Sequence, residues 1–130
     1  MNRLRREDGF SLVELLVVVL IIAILAAIST ASFIAQREKA YISDVQSTLR
    51  NAAASAEGIA TQNEGSYSTV TPTTLDSEGL RTSGGQTVDV PVATTTAYCI
   101  EVEDDRLSGH PSWATGRFDS ANGRPEPGTC

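Results

Sequence analysis

A single carboxylate, Glu14, stands inside an otherwise unbroken apolar run, Gly9 to Ser29 (GFSLVELLVVVLIIAILAAIS). An ionised side chain in a hydrocarbon-facing helix costs roughly 2.5–3.5 kcal/mol at mid-membrane and less near an end, so it signals a partner or a function. Other groups with reactive or ligating chemistry are few. Cys99 and Cys130 are the two cysteines and His110 is the one histidine. The cysteines fit one disulfide in an oxidising compartment, with a pair of free thiols as the alternative. Asp104, Asp105, Asp119 and Asn122 offer oxygen atoms suited to calcium, but their spacing matches no EF-hand, and such turns are far more often simply solvated. No nucleophile and base stand at a recognised spacing, so no enzyme activity and no cofactor are expected. Trp113, close to His110, reads either as an exposed binding aromatic or, more commonly for this residue type, as a ring buried against a sheet.

The element that must position Glu14 is the run itself. Leu15 to Gln36 carries no charge over about 22 residues, which at about 1.5 Å per residue is about 33 Å, enough to span a bilayer core. Arg3, Arg5 and Arg6 precede it and favour a cytoplasmic N-terminus, a bias thinned by Arg37 and Lys39 on the far side. An ordinary secretory signal also has basic residues before an apolar run, and Ala27-Ile28-Ser29 supplies a small-residue cleavage site, so a secreted binding domain is one alternative. The chain is acidic, with net charge −6, and no Lys/Arg cluster follows the first six residues; no nucleic-acid site is expected.

Gly9-Phe10-Ser11-Leu12-Val13-Glu14 resembles the class III signal of type IV pilins and the related pseudopilins. The resemblance implies that a prepilin peptidase removes the leader, residues 1–9, by cutting after Gly9. The same enzyme then methylates the exposed amine of Phe10, and the apolar helix is retained. It assigns Glu14 to an assembly contact with the N-terminal amine of a neighbouring subunit. Two unit charges about 4 Å apart attract by roughly 4 kcal/mol at an effective dielectric of 20. A subunit docked one turn out of place leaves both charges unpaired among apolar groups, so the pairing selects register more than it adds stability. The alternative for Glu14 is an interfacial carboxylate that reaches the polar boundary with no partner.

The function so implied is a structural subunit of a type IV pilus or pilus-like filament, anchored in the cytoplasmic membrane before assembly and at the cell surface after it. Its partners would be copies of itself, the peptidase and methylase, an inner-membrane assembly platform with its ATPase, and the lipid bilayer. A pseudopilin or minor pilin of a type II secretion or DNA-uptake machine is the alternative within the family.

Beyond Ile34 the pattern turns amphipathic: Ile42, Val45, Leu49, Ala52, Ala53, Ala56, Ile59 and Ala60 recur at three- and four-residue spacing. With no proline before Pro72, one helix from Phe10 to Gln62 is expected, with 10–36 as transmembrane and filament-core part and 37–62 as amphipathic part. Many pilins carry a proline about twenty residues into this helix, whereas Ser29-Thr30-Ala31-Ser32 stands here. Their hydroxyls compete for backbone groups, so a bend in the packed filament and simple close packing are both open. Asn63-Glu64-Gly65-Ser66-Tyr67 resembles the helix exit of many pilins.

The head, 63–130, is expected to be α+β: the helix packed on an antiparallel sheet of three to four strands, with a connecting loop over 63–96 and a disulfide-bounded region over 99–130. A short helical turn is expected in Pro72–Leu80 with Leu75 and Leu80 inward. Strands are expected at Val88–Val92, an edge because of Pro91, at Tyr98–Glu103, and at Ser112–Phe118. Asp104-Asp105 reads as a turn and Asp119–Cys130 as coil. The resemblance implies that a Cys99–Cys130 bond encloses an exposed C-terminal region.

Overall fold

The computed structural model describes residues 9–130; the leader arginines Arg3, Arg5 and Arg6 lie outside the described residues. The elements run α1 (Leu12–Gln62), α2 (Pro72–Ser77), β1 (Gln86–Ala93), β2 (Tyr98–Asp104), a 3-10 turn (Asp105–Leu107), β3 (Thr115–Asp119) and β4 (Arg124–Pro127). The chain divides into two units, one ending at Arg37 and one beginning at Glu38.

In the first unit α1 is apolar all round, and its large side chains from Leu12 to Ile34 are exposed. A helix with no polar face calls for an apolar cover, and its hydropathy and length are enough to cross a membrane. Residues 29–32 are helical. Ser29 Oγ donates to Leu25 O at 2.9 Å and Thr30 Oγ1 to Ala26 O at 2.8 Å, so both hydroxyls turn back onto the helix's own carbonyls without interrupting it.

In the second unit the amphipathic part of α1 buries Val45, Leu49, Ala52, Ala53, Ala56, Ile59 and Ala60, with Thr48 beside them; Ile42 is half-buried. The stripe packs on a four-stranded antiparallel sheet in the order β1-β2-β3-β4. Ile100 and Val102 of β2 and Phe118 of β3 face the helix, while Glu101, Glu103 and Arg117 take the other side of the pleat. Register is fixed by pairs such as Val88↔Val102, Ile100↔Phe118 and Phe118↔Pro125. Alanines on the helix let the sheet approach closely, and Gly116 carries that further. A Cβ there would lie 2.8 Å from Val45 Cγ1 and 3.1 Å from Leu49 Cδ1.

Several boundaries differ from the sequence reading. α1 starts at Leu12, not Phe10, because Ser11 caps it. β3 starts at Thr115 because 111–114 turn around His110, whose Nδ1 accepts from the amides of Ser112 and Trp113. The expected coil after Asp119 contains β4, an edge strand with two prolines whose missing N–H groups cost it nothing on the open side. Asp104 ends β2 fully buried and caps the 3-10 turn instead of sitting in a solvated turn. α2 forms where expected, with Thr71 and Thr74 in a capping box, Pro72 at its start, and Leu75 and Leu80 buried. β1 breaks register between Asp89 and Val92, around Pro91, as an edge strand with an internal proline should.

Candidate functional site

Gly9, Phe10 and Ser11 precede the first turn of α1 and are exposed, Phe10 at 83%. The bond between Gly9 and Phe10 therefore lies outside the helix. Ser11 Oγ accepts from Glu14 N at 3.1 Å, and Glu14 Oε2 accepts from Ser11 N at 3.4 Å. This is a reciprocal capping box, which satisfies two of the amides a helix start leaves unpaired. Glu14 also lies in the first turn, where the helix dipole favours a negative charge. The carboxylate that looked misplaced by sequence thus has a local partner in the subunit itself. The pattern Ser-x-x-Glu before an apolar run is the sequence signal for it. Val17 and Val18, one turn along the same helix face as the carboxylate, are 46% and 49% exposed, so the capped charge borders an uncovered apolar surface.

In the head, Cys99 and Cys130 form the disulfide, with Cα atoms 6.0 Å apart. The bond fastens the end of the chain to β2, beside further ties. Cys130 N donates to Glu101 Oε1, and Arg117 donates to Thr129 O at 2.9 Å and to Glu126 at 3.3 Å. Arg124 also donates to Glu126 at 3.0 Å. The guanidinium groups of Arg124 and Arg117 together hold the Glu126 carboxyl below its ordinary range.

The four oxygen-bearing residues considered for calcium do not converge. Asp104 lies at one end of β2, whereas Asp119 pairs with Cys99 at the other. Both oxygens of Asp104 are taken by Arg106, and Asp119 Oδ1 accepts from Ala121 N at 2.8 Å. Among the described residues no group of three or more His, Cys, Asp and Glu is placed to hold a metal. Trp113 is half-buried against the core, and a Cβ on Gly116 would lie 3.2 Å from its ring.

Two polar clusters were not anticipated. Arg106 bridges Asp104 and, at 2.8 Å, Asp44 of α1, and its guanidinium lies 4.4 Å from the centre of the Tyr41 ring. Hydrogen bonds from Arg106, then the bond from Gln86 and the Arg106 charge, hold the buried Asp104 carboxyl below the usual aspartate range against the opposing effect of burial. Glu57 accepts from the hydroxyls of Tyr67 at 2.9 Å and Tyr98 at 3.2 Å. Burial first, then the Glu57 charge, pushes the Tyr98 phenol far above its ordinary value. The Asp44–Arg106 and Glu57–Tyr98 contacts join side chains far apart in sequence, and no local spacing announces them.

Residues 4–30 match the family model for the prokaryotic N-terminal methylation motif, the class III signal of type IV pilins. No curated protein matches the chain. The motif and the apolar helix fit a type IV pilin-like protein, structural rather than catalytic in character, made as a membrane-anchored precursor. The motif implies processing by a prepilin peptidase and assembly into a filament.

Proposed function

We propose that this chain is a repeating structural subunit of a type IV pilus or pilus-like filament. The observation that carries the reading is the coincidence of the methylation motif with a helix whose apolar side chains from Leu12 to Ile34 are all uncovered. Soluble monomers rarely expose contiguous apolar patches beyond a few hundred Å². Lipid covers this surface before assembly, and the helices of other subunits cover it after.

The leader is cut after Gly9, the amine of Phe10 is methylated, and the ammonium of a neighbour meets Glu14. Cutting creates the amine that Glu14 requires, so an unprocessed precursor lacks half of the contact. Ser29 to Ser32, where two hydroxyls engage backbone carbonyls, is the segment that either bends or packs closely against neighbouring helices in the filament. The Cys99–Cys130 region lies in the part of the subunit that faces the extracytoplasmic space. Electron microscopy of cells with and without the gene tests the reading. Fibres that vanish on deletion and contain this chain support it; fibres of unchanged number and composition overturn it.

A further inference from the structure

We propose that Ser11 is the positioning residue for the Glu14 assembly contact, a role that rests on the filament reading above. The carboxylate does not hang free from α1. Its Oε2 accepts the Ser11 amide at 3.4 Å while the Ser11 hydroxyl accepts the Glu14 amide at 3.1 Å, so two links, the first of them long, tie residue 14 back across the helix start. A glutamate otherwise samples many rotamers, and the capping box removes much of that freedom before any partner arrives.

The direction matters as much as the restraint. The box draws the carboxylate toward the N-terminal end of its own helix, the end from which Phe10 projects. Among the described residues Glu14 Oε1 has no hydrogen bond. A carboxylate has room for about four acceptor contacts, so Oε1 can take an ammonium while Oε2 keeps the cap.

Keeping the cap is favourable for a second reason. Val17 and Val18 lie about one turn along the same helix face, and once a neighbour covers that face the Ser11 amide has no water to fall back on. An unsatisfied amide in apolar surroundings is costly. A neighbour that pulls the carboxylate away from Ser11 gains an ion pair and strands an amide, whereas one that approaches Oε1 does not. Ser11 therefore narrows the geometry from which the incoming amine is accepted.

The test uses the full chain in a host that assembles it. Ser11→Ala, Ser11→Thr and Glu14→Ala are compared with wild type for membrane insertion, for the mature N-terminus by mass spectrometry, and for the fraction of processed subunit in sheared filaments. Ser11→Ala is expected to be cut after Gly9 normally yet enter filaments roughly fivefold less, the scale of a lost helix cap. Ser11→Thr, which restores the hydroxyl, is expected within about twofold of wild type. Wild-type incorporation by Ser11→Ala, or a Ser11→Thr defect equal to it, overturns the proposal. So does a Ser11→Ala chain left uncut, because the defect then lies at the peptidase. If Glu14→Ala also assembles normally, the Glu14 contact itself is wrong; if only Glu14→Ala fails, Ser11 alone is removed from the account.

Discussion

Gly116→Ala adds one methyl group at the tightest point between α1 and the sheet. The new Cβ would stand 2.8 Å from Val45 Cγ1, 3.1 Å from Leu49 Cδ1 and 3.2 Å from Trp113 Cζ3. Val45 and Leu49 are fully buried, so neither is free to swing into solvent. The backbone of β3 is paired on both sides, to β2 and to β4, which limits its retreat. Overpacking of this kind costs about 1–3 kcal/mol. For a domain of 60–100 residues about 1 kcal/mol moves the midpoint by roughly 4–8 °C, so a cost near 2 kcal/mol lowers it by about 8–16 °C. Trp113, the one tryptophan, touches the site and reports unfolding of the head by its fluorescence in detergent-solubilised protein. Val45→Ala removes the closest contact, so Gly116→Ala should cost less in that background, with a coupling of about 0.5 kcal/mol or more. A Gly116→Ala midpoint within a degree of wild type, or strict additivity with Val45→Ala, refutes the packing argument.

Cys130→Ser opens a loop of sequence separation 31 and should lower head stability by roughly 3–4 kcal/mol, measured by chemical denaturation; a loss under about 1 kcal/mol contradicts the chain-entropy account. Asp104→Ala removes the acceptor of the Arg106 side chain and amide, and is expected to cost roughly 1.5–3 kcal/mol, with Arg106→Ala adding little in the double variant. Because the Asp104 carboxyl is held below its ordinary range in the folded head, its contribution is present above the unfolded aspartate value and is lost as pH falls through the folded one. Unfolding midpoints measured from pH 7 down to pH 2 should therefore show a steeper acid decline in wild type than in Asp104→Asn. The raised Tyr98 phenol has the opposite sign: its stabilising neutral form persists below the unfolded tyrosine value and is lost only at higher pH. Absorbance titration of tyrosinate should leave Tyr98 un-ionised until the head unfolds in alkali; reversible titration of all three tyrosines in folded protein refutes this.

Much of the architecture was legible because it rests on periodicity and composition. The uncharged run, the three- and four-residue spacing from Val45 to Ala60, and the alternation in Tyr98 to Val102 each encode a face to be covered. Cysteine count supported the one disulfide that forms. What escaped was set by contacts between distant segments. Asp104 looked like a turn residue because Asp-Asp usually is one, and its burial is offset by the charge and hydrogen bonds of Arg106 two residues on and by a bond from the distant Gln86. Arg-Pro-Glu-Pro lacks every strand preference yet pairs as β4, because an edge tolerates prolines that a central strand would not. At the N-terminal site Glu14 was visible by its charge alone. Its tie to Ser11 was written in the Ser-x-x-Glu spacing, while the external partner came from the resemblance of Gly9 to Glu14 to the class III signal.

The central claim is that the chain is cut after Gly9 and keeps its apolar helix. Mass spectrometry of the mature N-terminus in cells that carry the processing machinery tests it most directly. The account predicts a chain that begins at Phe10, with one methyl group on its amine. A chain that begins near Thr30, or one that retains residues 1–9 in the assembled state, contradicts it.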